Sequence, residues 1–309
     1  MRRILVIKHG ALGDFVLATG PFMAIRAHHL GDHLTLLTTP AFVGLARASR
    51  LFDQVWTDTR PRPYQVGQWL ELLHRLRGVR FDRVYDLQTS RRSGLYLRLL
   101  PRPRPEWSGI ARGASHRHDT PERTRMHTID RQAEQLRIAG IEHVPHPDIG
   151  WLKADVSHLT LPKPFALLVP GGSAHRPAKR WPAAHYAALV RKFADAGIGA
   201  VAIGGAGDET AAAAVATAGG IDLCGRTSLE EVAELARRAL VAVGNDTGPM
   251  HLAATAGTRS VVLFSNASDP ALCAPRGHAV RILRRPKLKD LSVEEVVEVA
   301  HKGPPATRG

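Results

Sequence analysis

The chain has 309 residues, 44% hydrophobic and 23% charged, with 42 Lys and Arg against 28 Asp and Glu and a formal net charge of +14. That length holds about two domains, each with a core of its own, and the composition excludes a disordered tail or a low-complexity linker. Two widely separated cysteines, Cys224 and Cys273, exclude a disulfide framework and a spaced zinc motif and fit a reducing compartment.

The first apolar run, residues 4–7, meets Lys8 and His9 at once and is too short for a signal peptide. With no uninterrupted run near the ~18 residues of a spanning helix, a cytoplasmic protein is expected, free or resting on a membrane surface. Strands are predicted at 4–7, 34–37, 54–56 and 83–87, with amphipathic helices at 14–29 and 68–77 between them. Proline pairs at 144–147 and 161–164 then bracket a stretch of weak periodicity that reads as linker. The plan repeats with strands at 166–169, 200–203, 222–224, 241–243 and 260–264, and helices at 182–196, 208–218, 228–240 and 249–256. A final helix begins at Ser292, with Glu295 at capping-box spacing. Strands alternating with helices of this length imply parallel α/β sheets. Domains are expected at 1–155 and 156–309, with a closing helix over 292–302 able to pack back on the first domain. Two such Rossmann-like halves would face one another across a cleft at the strands' carboxyl ends.

Three loops at strand ends carry the chemistry. The first, residues 8–14, has Gly10 and Gly13 for a tight turn and close ligand approach, then Asp14 at a helix start. Asp14 reads equally as a helix cap. The second, residues 170–182, passes from Gly171, Gly172 and Ser173 to Arg176, Lys179 and Arg180 before a helix near Pro182, a cradle for phosphate in which Lys179 is the point charge. A solvated basic turn, with Trp181 packing at the helix start, serves as well for Arg176 and Arg180. The third, residues 244–254, places Asp246, Thr247 and Gly248 before Pro249, a seat for a pyrophosphate. Asp246 and His251 form too small a set for a metal site, and none of the 16 aspartates forms a D-x-D pair. No metal and no cofactor are expected. Residues 60–131 hold 16 Arg, no Lys and 7 acids, a net +9 that suits an anionic partner or, more plainly, a solvated surface.

Taken together, GALGD at 10–14, PAKRWP at 177–182 and GNDTGPMHLAA at 244–254 resemble glycosyltransferase family 9, the lipopolysaccharide heptosyltransferases. The resemblance runs over nearly the whole chain and implies a GT-B fold. It also implies inverting, metal-independent transfer of heptose from ADP-L-glycero-β-D-manno-heptose to the anionic inner core of a lipid A-linked acceptor, at the cytoplasmic face of the inner membrane. By the same resemblance Asp14 would be the general base and Lys179 the donor-phosphate lysine. Asp246 would meet the heptose, and Thr247, Gly248 and Met250 the diphosphate, with Ser173 in the donor loop. Glu209, rather than Asp208, would hold the ribose. Gly13, Arg91 and Arg92 would lie on the acceptor side. Asn245 departs from the small or apolar residues usual before D-T-G in that family. Two other readings stand beside this one: a sugar-nucleotide epimerase of the same architecture, and a basic nucleic-acid-binding protein. The latter lacks an aromatic-interleaved basic stripe, so no nucleic-acid partner is expected.

Overall fold

The computed structural model describes residues 1–172, 175–277 and 279–302, and the chain divides into two compact units, Met1–Asp148 and Ile149–Gly309. The break lies within the expected linker, ahead of the expected 155/156 boundary.

In the first unit the strands are β1 (Arg3–Ile7), β2 (His33–Thr38), β3 (Gln54–Thr57), β4 (Arg83–Asp86), β5 (Glu106–Gly109) and β6 (His116–Arg117). Its helices are α1 (Leu12–Leu17), α2 (Thr19–His28), α3 (Val43–Ala48), α4 (Val66–Gly78), α5 (Arg91–Leu99) and α6 (Thr128–Ile138). All six strands pair in parallel, in the order β3-β2-β1-β4-β5-β6. The helix expected over 14–29 is two helices joined at Ala18. The Thr19 hydroxyl donates to Val16 O at 2.8 Å, and Pro21 has no N–H to continue the ladder, so the turn between them breaks. Leu5 and Ile7 of β1 pack with Leu72 and Leu76 of α4, Tyr96 of α5 and Trp107 of β5 in one buried cluster.

The second unit repeats the plan with β7 (Phe165–Val169), β8 (Gly199–Ala202), β9 (Ile221–Asp222), β10 (Val241–Asn245), β11 (Ser260–Phe264) and β12 (Val280–Arg284). Its helices are α7 (Ala183–Asp195), α8 (Glu209–Thr217), α9 (Leu229–Arg238), α10 (Gly248–Thr255), α11 (Pro270–Cys273) and α12 (Val293–His301). The order β12-β11-β10-β7-β8-β9 is the first sheet's order read from the other edge. Both chains of strands therefore reverse direction beside their first strand, between β1 and β4 and between β7 and β10. In open parallel sheets ligands bind at such switch points, outside the carboxyl ends.

The closing helix is α12, capped by Ser292, whose Oγ accepts from Glu295 N at 3.3 Å. Its Val293, Val296 and Ala300 are buried in the second unit's core with Phe193 of α7 and Val261 and Leu263 of β11. The apolar stripe at 293, 296 and 300 is the reason, helped by Trp181 Nε1, which donates to Leu291 O at 3.0 Å.

Candidate functional site

At the first switch point the 8–10 turn leaves β1 and is stapled to its neighbours. His9 N donates to Gln88 Oε1 at 2.8 Å, the Thr39 hydroxyl to His9 O at 3.0 Å, and Lys8 Nζ to Leu87 O at 3.3 Å. Gly10 takes φ +95°, and a Cβ there would stand 2.1 Å from the Phe42 ring, which stacks on Phe15. Only glycine lets the chain turn so close to that stack.

Asp14 follows in the first turn of α1, behind the buried Gly13. The cap position belongs to Ala11, which makes no side-chain cap bond, so Asp14 is not the helix cap. Its half-buried carboxylate lines a cavity of about 70 Å³ together with Lys8, Thr89, Arg131, Gln132 and Gln135. Burial drives the Lys8 ammonium below the usual lysine range, against the pull of the Asp14 charge. Behind the cavity Asp86, at the end of β4, is fully enclosed and its carboxyl is pushed up to about 7 by desolvation, although Thr89 N donates to Oδ1 at 3.0 Å. Thr89 itself sits at φ +46°, a strained turn for a β-branched residue, at the cavity edge.

Arg91 and Arg92 lie at the start of α5. Arg91 is exposed, but Arg92 is engaged within the unit. It donates to the Tyr96 hydroxyl at 2.8 Å, to Pro61 O at 3.1 Å and to both oxygens of the buried Asp58, and it stacks over Trp69 at 4.4 Å. Asp58 also receives the Tyr96 hydroxyl and lies 3.2 Å from His9 Nε2. Burial is the main cause that holds His9 down to about 4, so its imidazole is neutral at physiological pH.

At the second switch point Lys179 closes a single 3₁₀ turn, Pro177–Lys179, and its Nζ donates to Asp246 Oδ2 at 2.6 Å. The Ser268 hydroxyl donates to the same oxygen at 2.6 Å. Beneath this pair Asn245 is fully buried and uses every valence of its amide. Oδ1 accepts from Trp181 N at 3.0 Å and the Tyr186 hydroxyl at 3.2 Å, while Nδ2 donates to Pro170 O and Gly171 O at 2.8 and 2.9 Å. One side chain thus ties the end of β10 to the turn after β7 and the start of α7. That is what a small or apolar residue at 245 would forgo.

Thr247 stands before α10, its hydroxyl donating to Asn245 O at 3.2 Å. Pro249 lacks an N–H and Met250 N donates to Thr247 O at 3.2 Å, which leaves Gly248 N as a first-turn amide of the kind that a helix start can offer to an anion. The Met250 side chain is buried, its Sδ beside Gly244, and so serves the core under this turn. Ser173 lies outside the described residues.

The acid pair at 208 and 209 separates cleanly. Asp208 is buried, accepts from Gly172 N and Gly205 N at 3.3 and 3.0 Å, and pairs with Arg180 at 3.1 Å. A Cβ on Gly171 would strike its carboxylate at 2.1 Å. Arg180 also donates to Gly172 O, so it is a clamp on this turn and not a loose solvated cation. Glu209 is exposed, and the Gly207 N–H donated to it keeps its carboxyl below the usual range. Among the described residues no group of three or more His, Cys, Asp or Glu gathers to hold a metal ion.

Sequence reasoning missed Asn245 as a tie, Asp208 as a clamp, and the buried charged groups Lys8, Asp86 and Asp58. An acid or lysine that ends an apolar strand, as Lys8 and Asp86 do, is the one signal that could have marked them.

Comparison with known proteins bears on the family and the fold. The pattern of glycosyltransferase family 9 (heptosyltransferase) matches residues 69–301. The lipopolysaccharide heptosyltransferase 2 of Escherichia coli K12 is 26% identical over 317 aligned positions, covering 91% of this chain and 88% of that one. Among solved structures, the family 9 glycosyl transferase from Veillonella parvula superposes with a TM-score of 0.83 at 21% identity, over 97% of this chain and 96% of that one. Escherichia coli heptosyltransferase WaaC, solved with ADP, reaches 0.77 at 20% identity, over 96% and 98%. At such identities the superpositions carry the fold, which is GT-B. With its pattern matched over most of its length, the chain belongs to glycosyltransferase family 9, the heptosyltransferases.

Proposed function

We propose that the chain transfers heptose from ADP-L-glycero-β-D-manno-heptose to the inner core of a lipid A-linked acceptor, with inversion and without an essential metal. The acceptor hydroxyl loses its proton to Asp14 as it attacks the anomeric carbon, and ADP leaves from the opposite face. Lys179 and the N–H of Gly248 meet the charge that develops on the departing diphosphate, and Asp246 meets the sugar. Thr247 lines the diphosphate seat, and the exposed Glu209 takes the ribose, since Asp208 is committed to the loop. Gly13 and Arg91 border the acceptor, and Arg92 acts behind them by holding Asp58.

The reading is supported most by the freedom of Asp14: it occupies a first-turn position without a capping role, in a polar cavity with Lys8 and Arg131. The relative named above as a lipopolysaccharide heptosyltransferase, and the heptosyltransferase solved with ADP, support the donor and acceptor class. General-base assistance is typically worth ~10²- to 10⁴-fold.

Asp14→Asn is therefore expected to bind ADP-heptose as the parent does and to lose at least ~10²-fold in turnover. Isothermal titration and single-turnover transfer measure the two separately. An unchanged rate would remove Asp14 from the chemistry, and release of free heptose derivatives without acceptor would favour the epimerase reading.

A further inference from the structure

A second apolar stripe runs along α4 on the side away from the core. Leu72 and Leu76 are buried, whereas Val66 and Leu70 are 60% and 59% exposed and, with Leu73, follow the i, i+4, i+7 spacing of one helix face. Facing them on α5 are Leu95, 48% exposed, and Leu99, and the two stripes enclose a groove of about 300 Å³ with Trp69 in its wall. The lining contains one charged side chain, Arg98, and no acid.

The rim is cationic and aromatic. Arg77 Nε donates to Leu99 O at 3.0 Å, which fixes that guanidinium at one end of the groove. At the other end Trp69 Nε1 donates to Arg62 O, and Arg62 donates to the hydroxyl of Tyr64, itself 71% exposed. Arg91 precedes Leu95 by one helical turn. The nearby acid Glu71 is paired with Arg75 at 2.6 Å.

We propose that the α4–α5 face is the surface by which this protein rests on an anionic lipid bilayer, with Val66, Leu70 and Leu95 entering the acyl boundary and the arginines meeting phosphate headgroups. This rests on the reading of the acceptor as a membrane-anchored glycolipid. Exposed leucines beside a tryptophan and a tyrosine, ringed by arginines, combine the apolar and electrostatic parts of interfacial binding. A soluble anionic partner would account for the rim and leave the apolar floor in water. A second copy would account for the floor but would oppose its arginines to themselves.

Flotation of the full chain with vesicles of phosphatidylcholine, with and without phosphatidylglycerol, tests this. Binding should require phosphatidylglycerol and weaken severalfold between about 0.05 and 0.5 M salt. Leu70→Ser with Leu95→Ser should lower binding at least about tenfold, and Arg98→Glu should remove much of its salt dependence. Both positions are exposed, so the melting temperature and transfer to a delipidated, water-soluble core acceptor should stay as in the parent. As a check that needs no loss of apolar surface, acyl-brominated phosphatidylglycerol should quench parent tryptophan emission, and Trp69→Phe should abolish most of that quenching. Equal binding to neutral vesicles, no binding to anionic ones, or a solution dimer dissociated by the double serine variant would each overturn the proposal. Flotation without transfer to any core acceptor would instead fail the functional reading and leave this surface standing.

Discussion

Two buried groups at the first switch point, one after β1 and one ending β4, titrate in opposite senses. Desolvation holds His9 at about 4, while the Asp58 carboxylate beside it pulls the other way. Unfolded His9 takes up a proton below its ordinary 6.5 that the folded residue refuses, so its share of stability is whole above 6.5 and lost as pH falls toward 4. Asp86 is the reverse: its folded carboxyl, at about 7, keeps a proton that the unfolded one has released above 3.8. Its share is whole below 3.8 and is lost as pH rises through 7. Asn at 86 would keep an oxygen for Thr89 N and cannot ionise. The melting temperature of Asp86→Asn, less that of the parent, should therefore climb between pH 5 and 8, on the order of several degrees. Taking the difference cancels His9, and a difference flat with pH would show that Asp86 does not titrate there.

At the scale of the element, the second site is a set of strand ends and helix starts held by one amide. Asn245→Ala would leave Trp181 N and the Tyr186 hydroxyl without their acceptor and two carbonyls without their donor, all in a dry interior. A loss of about 2 to 4 kcal/mol is expected from such orphaned groups, with weaker ADP binding because the Lys179 turn is freed. Denaturant melts and ADP titration measure both, and an unperturbed melt would show that the tie is dispensable. The longer helices of the second half, all but the short α11, were legible in the sequence to within a residue or two, because Ser228 and Ser292 cap two of them and prolines stand at or near the first turns of α7 and α10. The strands β5 and β12 were not, since Glu106-Trp107-Ser108-Gly109 is too short to show a period and β12 carries Arg281 and Arg284 where apolar residues would mark a strand. Helix α5 was hidden as well: its cap is the exchange between Ser90 and Ser93, which looks like an ordinary polar turn. Asp14, Lys179 and Asp246 were legible because each falls between a strand end and the first turn of the next helix. Asn245, Asp208 and Asp58 were not, because their work is done by partners some tens of residues away that no local pattern reveals.

For the whole molecule, one topology occurs twice with two different charge patterns. The first unit holds 23 Lys and Arg against 14 Asp and Glu, and its switch point presents Lys8, Arg131 and Asp14; the second presents the Lys179–Asp246 pair. Each unit has its own buried cluster, so a ligand seated on one need not tighten the other. ADP at 100 times its Kd stabilises whatever it binds by about 2.7 kcal/mol. On the proposed reading, hydrogen exchange should slow in β7, β10 and the turns at 170–172 and 246–248, while the amides of β1 and β4 keep their rates. The same protection should persist in excess EDTA, and so should heptosyl transfer. A diphosphate can be met by the Lys179 ammonium and the Gly248 N–H, and one oxygen of the Asp246 carboxylate, Oδ2, is already shared by Lys179 and Ser268. Protection or transfer abolished by EDTA and restored by magnesium would overturn the metal-free mechanism. Equal slowing in both units would show instead that the donor's energy spreads across the molecule, and the second switch point would then not be a self-contained site.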